Sequence, residues 1–75
     1  MWMAAGLFLE GKMLEQQGQQ EKSWQKFVDA YRMQPDFSPA RGRLLALATQ
    51  NPSMRLKASK VLNARDRNRL DRMFQ

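Results

Sequence analysis

The chain contains no cysteine and no histidine. The first absence excludes disulfides and thiolate chemistry. The second removes the commonest metal ligand and the one side chain that titrates near neutral pH. Long apolar runs are also missing. The stretch 1–9 is apolar, but Glu10 and Lys12 end it, far short of the roughly 20 residues a bilayer span needs. It has no basic leading segment, so a signal peptide is not expected, and the sequence reads as soluble and intracellular, with the cytoplasm as the expected compartment. No alternating apolar–polar run is long enough for a strand, which leaves an all-α class.

At 75 residues the chain is read as one small domain, 1–75. A chain of this size buries only about 60–65% of its unfolded surface. With no covalent or metal staple, its core depends on closely packed helices, on a partner, or on self-association. Acids are scarce: seven Asp and Glu stand against 13 Lys and Arg, for a net charge of +6. The imbalance is local. Residues 1–40 hold Lys12, Lys22, Lys26 and Arg32 against five acids, whereas 41–75 hold nine cations against Asp66 and Asp71 alone. A basic half implies an acidic protein, a nucleic acid or an anionic surface as neighbour.

Apolar spacing predicts a first helix over 3–17, with Ala4, Leu7, Gly11 and Leu14 on one side. A polar break around Gly18 separates it from a second helix over 20–33, striped by Trp24, Phe27, Val28 and Tyr31, with Ala30 beside them. Pro35 stops that helix. Ser38-Pro39 and Asn51-Pro52 each read as a cap followed by a first-turn proline. The third helix then carries Ala40, Leu44, Leu47 and Ala48, and the fourth Met54, Ala58, Val61 and Leu62. Asn63 with Asp66 resembles a capping box opening a short fifth helix with Leu70, Met73 and Phe74 turned inward; a single bent helix over the last two segments is the alternative. Four to five helices are thus expected, as antiparallel hairpins.

Two antiparallel helices approach closely only where one side is small. Gly11 offers such a notch on the first helix and Ala30 on the second, with Leu7, Leu14, Trp24, Phe27 and Tyr31 filling the space around them. Together with Gly18, Ser23 and Pro35, these positions resemble one tetratricopeptide repeat over residues 4–37, a helix–turn–helix unit of about 34 residues. Leu7 stands where the family often has Trp, Ser23 where it has Ala, and Glu10 where it has Leu. A second repeat over 38–71 would put Arg41, Leu45 and Lys57 at apolar or small positions, so residues 38–75 read as a basic degenerate second unit or cap. The resemblance implies a module that binds other proteins, as an adaptor, chaperone or assembly factor. It places Ala5, Phe8, Lys12, Glu15 and Gln16 on the ligand-facing side, with Gly42, Ala46 and Thr49 as an extension. Phe8 is the expected anchor, because it lies off the stripe that pairs the two helices; packing on the third helix within the domain is the equal alternative.

No chemistry is expected of the chain, and no cofactor or metal. Residues 6–13 match phosphate-loop spacing up to the last position, where Met13 replaces the Ser or Thr needed for magnesium, and no strand precedes them. Glu10 is isolated, and Asp66 and Asp71 sit among arginines as expected surface ion pairs, not as a tuned acid–base couple. Arg65, Arg69 and Arg72 share one side of the last helix as a basic patch, read first as a solvated face and otherwise as a surface that docks an acidic protein or phosphate. The expected partner is a helix or peptide of another protein, acidic if it meets that patch. Self-association is a further expectation, and a small basic nucleic-acid-binding domain is the alternative reading. Six Met and two Trp suit adaptable exposed contacts.

Overall fold

The computed structural model describes residues 3–73. The described residues form five helices and no strand: α1 (Ala4–Gln16), α2 (Gln20–Met33), α3 (Ser38–Gln50), α4 (Pro52–Val61) and α5 (Ala64–Met73). The chain divides into two compact units, Met1–Arg43 and Leu44–Gln75, with the boundary inside α3.

In the first unit, α1 and α2 double back on each other through a three-residue turn. Gly18 adopts the left-handed conformation (φ +79°). That places the Gln19 N–H on the Leu14 carbonyl at 2.9 Å and the Gly18 N–H on the Glu15 carbonyl at 3.1 Å. This pair of bonds is a Schellman cap, which needs a residue free of a Cβ penalty at the position Gly18 fills. The far end of α2 closes with the Gln34 N–H on the Ala30 carbonyl, and a tight turn follows, with the Phe37 N–H on the Gln34 carbonyl at 2.9 Å. Neither α1 nor α2 has a side-chain N-cap bond. The hairpin is therefore held by packing.

That packing is a mesh of small against large. A Cβ built on Gly11 would lie 2.6 Å from Cε1 and 2.8 Å from Cδ1 of Phe27, so the ring occupies the space a side chain would need. Phe27 itself is fully buried. About a turn away, Ala30 of α2 shares a buried cluster with Ala4 and Leu7 of α1 and Ala40 of α3, flanked by Phe8 and Phe37. Trp24, Val28 and Tyr31 complete the buried side of α2. Trp24 is therefore core, not an exposed contact residue, and Trp2 lies outside the described residues.

Ser23 is fully buried on α2, and its hydroxyl has no hydrogen-bond partner. A buried hydroxyl without a partner costs about 1–3 kcal/mol, and Ala is also the better helix former. Ser23→Ala should therefore raise stability by about 1 kcal/mol, read as a higher midpoint in urea unfolding. A lower midpoint would mean the hydroxyl has a partner after all.

The second unit is built from the rest of α3 with α4 and α5. Its buried apolar residues are Leu44, Leu45, Leu47, Ala48, Met54, Ala58, Leu62 and Leu70. Here the caps are polar side chains. Asn51 Oδ1 accepts the Ser53 N–H at 3.0 Å with Pro52 in the first turn, and Asn63 Oδ1 accepts the Asp66 N–H at 2.9 Å. The chain breaks at Leu62-Asn63, where Leu62 is extended (ψ 144°). Three helices thus stand where a second hairpin would have two.

Two expectations for α5 change. Asp66 is buried, not at the surface. It sits in the first turn, where the positive end of the helix favours a carboxylate. Met73, expected inward, is about half exposed, because the inward ridge runs through Asp66 and Leu70. Phe74 lies outside the described residues.

Candidate functional site

A surface helix of a globular protein has one apolar stripe, facing the core. α1 has two. Ala4, Leu7 and Gly11 are buried. On another side of the same helix, Ala5, Leu9 and Met13 follow at intervals of four, all exposed, and the polar, exposed Gln16 ends the row. Leu9 is 61% exposed and Met13 59%. Next to this stripe a depression of about 280 Å³ is lined by Glu10, Met13, Leu14, Gln17 and Lys26. Lys26 Nζ and Glu10 Oε2 pair across its rim at 3.1 Å. Both groups are about a third exposed, so the pair marks an edge and contributes little stability.

The five positions singled out by the resemblance divide in this light. Ala5 and Gln16 belong to the open stripe. Phe8 is half-buried, its ring centroid 5.6 Å from that of Phe27 and 5.9 Å from that of Phe37, the latter edge-on. Phe8 thus serves the first unit's own aromatic cluster. Glu15 accepts the Arg43 Nε–H at 3.1 Å and also the Nη2 of the same guanidinium, while Lys12 Nζ stands 3.8 Å from its other oxygen. These three charges neutralise one another in part and tie α1 to the first turns of α3. Of the extension, Gly42 and Thr49 are exposed, Ala46 is half-buried, and the Thr49 hydroxyl donates to the Ala46 carbonyl at 2.7 Å.

Leu9 and Met13 were not among the residues expected to bind. The signal was present as three consecutive apolar residues, Leu7-Phe8-Leu9, which no single helix face can bury together.

In the second unit, Arg65, Asn68, Arg69 and Arg72 are all exposed on one side of α5. With Met73 they line a shallow depression of about 620 Å³. Arg67 is on another side, where its Nη2 donates to the Leu62 carbonyl at 3.2 Å. Among the described residues no three acidic side chains converge as a metal site requires, and no helix is long and apolar enough to cross a membrane. No protein-family model, curated protein or solved structure matches this chain.

Proposed function

We propose that the chain is a non-enzymatic protein–protein interaction module, with residues 4–37 as a tetratricopeptide-like hairpin and an adaptor, chaperone or assembly role. The observation that carries this reading is the second apolar stripe of α1. Leu9 and Met13 leave large apolar side chains in water on a helix whose opposite side is already packed. Contiguous exposed apolar surface of this kind marks a contact site. The depression between Met13, Leu14 and the Glu10–Lys26 rim gives a helix or extended peptide of a partner a place to seat one apolar side chain. The flexible Met13 thioether suits such a contact, because it adapts to the shape it meets.

A photo-crosslinking residue at Leu9 tests this. It should capture a discrete partner in native lysate, whereas the same residue at Lys22, an exposed position of α2, should not. Identical products from both positions would remove the docking face. A crosslinked homodimer, with melting that rises with protein concentration, would assign the stripe to a second copy of the chain.

A further inference from the structure

We infer that the exposed face of α5 binds the phosphate backbone of duplex nucleic acid, and of B-form DNA in particular, through the Arg65, Arg69 and Arg72 guanidiniums. This concerns the other unit and a different ligand from the α1 docking face. It does not depend on that reading.

The first ground is how charge is displayed. Residues 44–75 hold seven Lys and Arg against two acids. The fold takes one of those acids out of the surface, since Asp66 is 2% exposed. The other, Asp71, lines a separate depression with Pro52, Arg55 and Leu56. The α5 face is left with three guanidiniums and a carboxamide and no carboxylate. Among the described residues, the side chains of Arg65, Arg69 and Arg72 form no ion pair or hydrogen bond. The cations that serve the fold are others: Arg43 is held by Glu15, and Arg67 by the Leu62 carbonyl.

The second ground is geometry. At about 1.5 Å rise per residue, Arg69 and Arg72 lie roughly 6 and 10.5 Å along the axis from Arg65. A helix about 10–12 Å wide fits the B-form major groove, about 12 Å across, where such a row reaches phosphates on the flanking strands. The deep, narrow major groove of A-form RNA does not admit a helix. Single strands are bound by stacking on aromatic rings, and no aromatic residue lies between Phe37 and Phe74.

The third ground separates a polyanion from an acidic protein. A protein interface needs a buried apolar anchor at its centre. The α5 face offers only Met73, among four polar side chains. Phosphate binding needs no such anchor, because counterion release supplies the affinity.

Fluorescence anisotropy of the full chain with a labelled B-form duplex of about 20 base pairs, over about 0.05–0.2 M salt, reads the inference directly. Saturable binding is expected, with log K falling against log salt at a slope of about −3 or steeper. Replacing Arg65, Arg69 and Arg72 together by Gln should make the slope shallower by about 2.7 and weaken binding at least about tenfold. Gln keeps helix propensity, so circular dichroism should be unchanged; if the triple variant did not fold, each single Arg→Gln change should lower the slope by about one. Lys22→Gln, in the first unit, should leave the slope as it was. Absence of duplex binding at the lowest salt would overturn the assignment, as would an unchanged slope in the triple variant. Tighter binding to polyglutamate, anionic vesicles, duplex RNA or single-stranded DNA than to the duplex would overturn it as well.

Discussion

Gly11→Leu should leave the first unit unfolded at room temperature, seen as loss of helical circular dichroism and of a cooperative melt. The reason is local and steric. Even the first added carbon would sit 2.6 Å from Phe27 Cε1. The ring cannot swing aside, since Phe27 has no exposed surface and Phe8 packs against it. Two effects oppose each other here. Replacing Gly in a helix interior gains about 0.5–1 kcal/mol of propensity. Overpacking costs about 1–3 kcal/mol per intrusion, and more when a whole side chain must be housed. For Leu the second effect is far larger, and a chain of 75 residues has only about 4–11 kcal/mol in total at typical per-residue stability. A normal melt for this variant would mean that α1 and α2 do not meet at Gly11.

Phe27→Ala should cost about 3–5 kcal/mol, the usual range for emptying a buried aromatic site. The upper part of that range applies here. Gly11 has no side chain to lean into the void, and Phe8 would lose one of its two aromatic neighbours. Urea unfolding is the measurement, and a cost under about 1 kcal/mol would mean that the ring is not central to the hairpin.

The parts of this fold that were legible in the sequence are those fixed by chain-local chemistry. The second helix runs from Gln20 to Met33 because a Schellman turn at Gly18 opens the way to it and the Pro35 turn closes it. Asn51 and Asn63 cap α4 and α5 through bonds spanning two and three residues, so the break at Leu62-Asn63 could be read from the same short window. The notch at Gly11 was legible as a small residue in an apolar stripe. Its occupant was not, because only the turn geometry sets which α2 side chain stands opposite.

What sequence reading missed depends on contacts far along the chain. Phe8 stood open between anchoring a partner and packing on the third helix within the domain, because the ring that meets it edge-on, Phe37, arrives only after the whole of α2. Glu15 and Arg43 are 28 residues apart, and nothing local pairs them. Asp66 looked like a surface charge because charges usually are, and only the packing of α5 turns it inward. The stripe through Leu9 and Met13 was hidden for a related reason. In Leu7-Phe8-Leu9 the periodicity does not say which residues the hairpin will claim, and the remainder becomes visible only once Leu7 and Phe8 are spoken for.

A double-mutant cycle between Gly11→Ala and Phe27→Leu tests the meshing of the two helices most directly. Gly11→Ala alone should destabilise by about 1–2 kcal/mol despite its better helix propensity, because the methyl meets a ring that cannot yield. In the Phe27→Leu background the same methyl should be tolerated or even stabilising, giving a coupling of at least about 1 kcal/mol. Effects that simply add, within about 0.5 kcal/mol, would contradict the account, since residues that do not touch behave that way.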